Sequence, residues 1–209
     1  MLKPIILFKR WYDMRKIVLF LSTALCTVSA LAQQTTLNEF NARRQQIDKA
    51  AITLLASYGA ANIVYGTIAS GQTTGSNKYF HQMNAIWNGV TLGIVAVGHF
   101  TAKKEGSLDM AASLKKQHAV KKLFLFNTAL DLAYVAGGAY MYEKSKTTSN
   151  KPERLKGYGQ SVMLQGGVLF LFDGVMYAIH QRHGKKLDQL LQKVQLTATG
   201  NGIGVVVKL

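Results

Sequence analysis

Apolar residues gather into four helix-length runs, and charged residues crowd the stretches between them. The third run, Leu123 to Tyr142 (LFLFNTALDLAYVAGGAYMY), carries one carboxylate, Asp131, near its middle. Ala51 to Ser70, Met83 to Thr101 and Ser161 to His180 resemble it in length and texture. A bilayer asks a spanning helix for about 20 mostly apolar residues. The pattern therefore predicts an all-α fold: a four-helix transmembrane bundle made of two tandem helical hairpins, with flanking amphipathic helices and a short extended C-terminal tail.

The connections fit. GQTTGSN after the first run and EKSKTTSNKPERLKG after the third are Gly-, Ser- and Pro-bearing turns. Ser107 is placed to cap an amphipathic helix, LDMAASLKKQHAVKK, that runs into the third span. Leu37, Phe40, Arg44 and Ile47 recur at helical spacing in the polar stretch 33–50, which predicts a lead-in lying at the membrane surface. Leu187, Leu190, Leu191 and Val194 do the same for a second surface helix. Gly-Asn-Gly followed by β-branched Val205 to Val207 predicts a short hairpin or extended strand.

Ahead of all this, Met14-Arg15-Lys16, the apolar IVLFLSTALCTVSALA and the small residues Ala30-Leu31-Ala32 form the three parts of a secretory signal. The expected division is a signal peptide over 1–32, the lead-in over 33–50, a four-helix membrane domain over 51–183, and a surface helix and tail over 184–209. Export to the bacterial inner membrane is the expected localisation.

An internal duplication is visible. Asn62-Ile-Val-Tyr65 matches Asp131-Leu-Ala-Tyr134, and TTGSNK after the first run matches TTSNK after the third. Phe80-His-Gln82 and Gly89-Val90 line up with Tyr158-Gly-Gln160 and Gly167-Val168. Two such units pack in the same orientation, because each crosses the bilayer twice.

Polar residues inside the runs fall in stripes. Tyr58, Asn62 and Tyr65 share one helix face, as do Asn127, Asp131 and Tyr134, and as do His81, Asn84 and Asn88; Ser161 and Gln165 precede Asp173 and His180 on the fourth run. Hydrocarbon cannot hydrogen-bond such groups, so the stripes turn inward and form a polar seam. Glycines flank it (Gly59, Gly66, Gly89, Gly93, Gly137, Gly138, Gly166, Gly167), which lets backbones approach. Asp131 and Asp173, with Asn62, Asn88, Gln165, Asn127, Tyr65 and Tyr134, are the candidates for binding a cation, a proton or a small polar ligand. The competing reading is a hydrogen-bond network that only fixes helix register. No Lys or Arg lies within a run to pair with the acids, so a proton or a bound cation is expected there.

Charge narrows the partners. The chain carries a formal +15, of which the first 32 residues hold five Lys/Arg and one Asp, leaving +11 for 33–209. Its basic residues sit in short clusters beside apolar runs, which suits lipid headgroups rather than nucleic acid. The one cysteine, Cys26, lies in the signal segment, so the mature chain has no disulfide. His81, His99 and His180 form no HEXXH-type pair, no nucleophile elbow is present, and neither a metal, a cofactor nor catalysis is expected.

Orientation is contradictory. The side holding 33–50, 101–122 and 181–209 carries 14 Lys/Arg and the other side six, so the positive-inside rule opposes the export predicted by the signal. The signal, with all three parts present, is the one retained.

NIVYG (62–66), YFHQMNAIWNGV (79–90), LFNTALDLAYVAGG (125–138) and RLKGYGQSVMLQGGVLFLFD (154–173) resemble an uncharacterised family of bacterial four-helix membrane proteins with a signal sequence, a domain of unknown function. The resemblance covers about residues 40–183. It implies a fold class and no activity. The expected function is that of an integral membrane protein whose polar seam binds or braces, in contact with the lipid bilayer and as a homo-oligomer. The alternative is a small proton, cation or solute transporter or channel.

Overall fold

The structure, a computed structural model, describes the backbone of residues 3–101, 106–199 and 202–207, with side chains for 16, 34–97, 100, 106–189 and 191. Four helices make up almost all of it: α1 Lys3–Gln72, α2 Gly75–Thr101, α3 Met110–Ser145 and α4 Pro152–Lys193. β1 Val194–Thr199 and β2 Gly202–Val207 then pair antiparallel, Val194 opposite Val207 and Thr199 opposite Gly202; the tail's composition suggested a hairpin, but Val194, expected on the face of the surface helix, already belongs to the first strand.

The length of α1 follows from what is missing. No glycine precedes Gly59 and no proline follows Pro4 in α1, so nothing breaks the 70-residue helix between the predicted signal, lead-in and first span. The side chains of the signal segment, Lys16 apart, lie outside the described residues, as does that of His99. Pro152 opens α4, where a missing N–H costs nothing. Lys151 just before it takes φ 51, a left-handed conformation that costs a branched-chain residue more than it costs lysine. Asp109, rather than the expected Ser107, caps α3: its Oδ1 accepts from Ala112 N at 2.7 Å. Ser107 instead accepts from Gln34 Nε2 (2.8 Å) and donates to Asn38 Oδ1 (3.0 Å), lashing the start of α3 to α1.

Neighbouring helices meet at glycines. α1 and α2 run antiparallel, with Gly66 against His81 and Ala85 and Gly59 against Leu92. α3 and α4 also run antiparallel, with Gly138 against Gly159 and Met163, and Gly166 against Asp131 and Val135. α2 and α4 run parallel: Gly157 sits on Ser76 and Phe80, and Asn84 lies beside Ser161 and Gln165. α1 leans chiefly on α2 and touches α3 and α4 sparingly.

The two ends of the bundle place their large apolar side chains oppositely, although both bury polar ones, Asn41, Arg44, Ser113, Gln117 and His183 at the first. At one end 34–50, 107–122 and 181–191 pack together: Leu37, Phe40 and Leu187 form an apolar core, Met110 and Leu114 cover it, and Arg43, Lys115, Lys185 and Lys186 face out. This corrects the expectation of separate helices lying on a membrane surface. The apolar faces of lead-in and tail find each other because α1 and α4 carry them to the same end of the bundle. Over the rest of the length the pattern reverses. Asn84, Asn88, Asp131, Ser161, Gln165 and Asp173 are buried, while Ile86, Val90, Ile94, Phe126, Leu132 and Leu171 are exposed. Among the described residues, two helical stretches are long and apolar enough to cross a membrane, Gln34–Gln72 of α1 and Pro152–Gln189 of α4.

Candidate functional site

The interior polar groups form two clusters. In the first, α3 and α4 bring Asp131 and Asp173 into side-chain hydrogen-bond contact, and Asn127 reaches Asp173 as well. Their positions are set by Gly166, whose missing Cβ lets the backbone of α4 lie against Asp131 and Val135. Asp131 is 3% exposed and Asp173 6%. Two carboxylates in contact away from water disfavour a full charge on both. Asp131 Oδ2 has no hydrogen-bond partner among the described residues, leaving one acceptor free for a ligand.

The second cluster joins three helices. Asn84 Oδ1 accepts from Ser161 Oγ at 2.6 Å and from Gln165 Nε2 at 3.0 Å, and Gln165 Oε1 accepts from Tyr58 Oη at 3.1 Å. α2, α4 and α1 are thereby stitched through one amide. Its bonds run to side chains of neighbouring helices, which suits bracing.

The candidates divide accordingly. Asp131, Asp173 and Asn127 converge, and Gln165 joins the second cluster. Asn62 and Asn88 turn to their own helices, donating to Tyr58 O and Asn84 O at 2.9 Å each. Tyr134 presents its ring edge-on to Trp87, centroids 4.8 Å apart, tying α3 to α2. Tyr65 is a correction: it is 63% exposed and stands edge-on to His81 on the outside of the bundle. Because α1 leans on α2 and away from α4, only Tyr58 of that stripe reaches the interior.

Residues outside the candidate set carry much of the interior. Asn84 and Ser161 are the hub and its donor; Asn84 shares a face with Asn88, four residues on, and that spacing was the available signal. At the boundary between the two ends, Asn41, Ser113, Gln117, His180 and His183 are all buried. Asn41 Nδ2 donates to Ser113 Oγ (2.7 Å) and Gln117 Nε2 to His180 O (2.7 Å). His180 stacks on Phe124 and His183 on Phe40. His81 and His180 sit at opposite ends of the bundle, and no three His, Cys, Asp or Glu among the described residues converge as metal ligands do.

No curated protein and no solved structure matches the chain. A family model matches residues 54–174, from the first span through the acid of the fourth. That match holds both polar clusters and more than half of the chain, which therefore belongs to DUF6992, a family of unknown function.

Proposed function

We propose that the chain is an integral membrane protein whose four helices cross the bilayer and whose acid pair, Asp131 with Asp173, holds a proton or a small cation. The reversal of burial along the bundle carries this reading. Among the described residues twenty large apolar side chains are exposed, nearly all of them between the charged ends. Burying one such side chain is worth about 1.5–3 kcal/mol, so in water the arrangement forgoes tens of kcal/mol against the ~5–15 that holds a domain together. In lipid the same arrangement costs nothing, and it is the polar groups that must turn inward.

The contacts of α2 with α4 support two tandem hairpins. Phe80 faces Gly157 and Asn84 meets Ser161, within a residue of the register in which Phe80-His-Gln82 aligns with Tyr158-Gly-Gln160. On this reading an N-terminal signal exports the chain to the bacterial inner membrane, with the apolar-cored end on the outer side. The free Oδ2 of Asp131 favours a second reading, in which an oligomer moves protons, cations or a solute past the acid pair.

Carbonate washing of vesicles, followed by reconstitution of the purified chain, tests both. The chain stays with the vesicles, and Asp131→Asn and Asp173→Asn each fold yet lose uptake of protons or a monovalent cation. Release by carbonate would end the membrane reading. Retained binding without flux leaves the binding role, and equal unfolding of both variants reduces the pair to a brace.

A further inference from the structure

A groove runs between α1 and α4 across the level at which burial reverses. Its upper part is polar, lined by Glu39, Arg43 and Lys186 with the Phe40–His183 stack at its back. Its lower part is apolar, lined by Ala50, Ala51, Leu54, Met176 and Ile179. Arg43 lines both parts, which therefore adjoin at that side chain. On α1 the positions 36, 40, 43, 47, 50 and 54 alternate steps of four and three, one straight stripe of a helix.

We propose that this groove holds one phospholipid with an anionic headgroup, its phosphate between Arg43 and Lys186 and an acyl chain laid along Ala50, Leu54 and Ile179. The proposal rests on lipid being the solvent around the spans. Three features single out this occupant. Glu39 is the one acid among the lining residues of the upper part, so that end is net positive. The groove descends about 16 Å from Arg43 to Leu54 at 1.5 Å per residue, close to one leaflet's half of the roughly 30 Å hydrocarbon core. Leu54 and Ile179 open sideways onto the exposed apolar face, where a free anion would leave them uncovered and an acyl chain enters from the bilayer.

Native mass spectrometry of the full chain in mild detergent, titrated with phosphatidylglycerol, phosphatidylcholine or inorganic phosphate, reads the site. One phosphatidylglycerol binds per chain, in preference to phosphatidylcholine. Arg43→Gln with Lys186→Gln weakens it about thirtyfold, each basic side chain near a membrane surface being worth a factor of about five. Arg43→Lys retains binding, and Ala50→Trp, which fills the apolar half, abolishes it while leaving the headgroup residues in place. Both basic side chains are exposed, and a helical circular-dichroism spectrum checks that the variants fold. Equal retention of both lipids, displacement by inorganic phosphate at equal affinity, or binding indifferent to Ala50→Trp overturns the proposal. A chain that resists carbonate yet shows no such preference sinks the groove alone, whereas a chain released by carbonate sinks the membrane reading beneath it.

Discussion

His180 Nε2 lies 3.2 Å from Asp48 Oδ1 across the interface of α1 and α4, the imidazole wholly buried and the carboxylate partly open to solvent. Neither ring nitrogen has a well-oriented hydrogen bond among the described residues, so the Asp48 carboxylate is the ring's main polar neighbour. Removing one member of such a pair leaves the other stranded, while replacing both by apolar groups is often neutral. Asp48→Leu alone is therefore expected to destabilise, and His180→Phe, whose ring keeps the stack on Phe124, recovers part of the loss. A double-mutant cycle on unfolding in detergent reads a coupling of about 1–3 kcal/mol; strict additivity would show that the two groups do not sense each other.

Asn84 gives a second test, because it holds two donors at once. Asn84→Leu leaves Ser161 and Gln165 without their acceptor. Interhelical hydrogen bonds in membrane proteins average about 0.6 kcal/mol, so two lost together cost about 1–2 kcal/mol once stranding is included. Asn62, which bonds only to Tyr58 of its own helix α1, loses less than about 0.5 kcal/mol on change to Ala. Unfolding midpoints of the two variants decide it, and equal losses would remove the special place given to Asn84.

The chain announced its helices, its turns and its interior acids, because those depend on local periodicity and on the rule that hydrocarbon tolerates no stranded polar group. It did not announce which side of α1 faces the interior. Tyr58 and Tyr65 share a stripe on the helix wheel, yet only Tyr58 bonds inward, since the lean of α1 toward α2 is set by Gly66 and by contacts far along the sequence. Nor was the pairing of Leu37 and Phe40 with Leu187 legible: each belonged to a plausible amphipathic helix of its own, and only the packing of the long helices brings them together. Asp48 looked like one more lead-in charge until α4 placed His180 beside it.

Glycines show the same limit and yield a third prediction. Gly137 and Gly138 are adjacent and indistinguishable by sequence. A Cβ on Gly137 meets nothing within 4 Å, whereas one on Gly138 would stand 2.6 Å from Met163 N and 2.7 Å from Gly159 O. Gly137→Ala is expected to be neutral or to stabilise by up to about 1 kcal/mol through helix propensity. Gly138→Ala pushes α3 off α4 and costs several times that figure in the opposite sense, as does Gly157→Ala, whose Cβ collides with Ser76 O. Thermal midpoints of the neighbouring pair are the measurement, and similar behaviour of Gly137 and Gly138 would show that α3 and α4 do not approach as described.

His183 supplies the pH dependence. Its ring is stacked on Phe40 with centroids 4.2 Å apart, and its Nε2 lies 3.1 Å from Phe40 O, where it is placed to donate. Burial lowers its pKa below the ordinary 6.5; the Phe40 carbonyl pulls the other way, and Lys186, His180 and Arg43 add to the lowering. Glu39 lines the same cleft and is the acid that faces it from α1. Above pH 6.5 the ring is neutral whether the chain is folded or unfolded, and the full stability is present. As pH falls through 6.5 the unfolded chain takes up a proton that the folded chain refuses, so stability drops until the folded ring titrates at its own lower value, and is constant below that. Unfolding midpoints measured from neutral to mildly acidic pH should therefore decline for the native chain, and His183→Gln, which keeps a donor toward Phe40 O but cannot ionise, should flatten the decline. A slope unchanged by that substitution would assign the acid sensitivity to other groups.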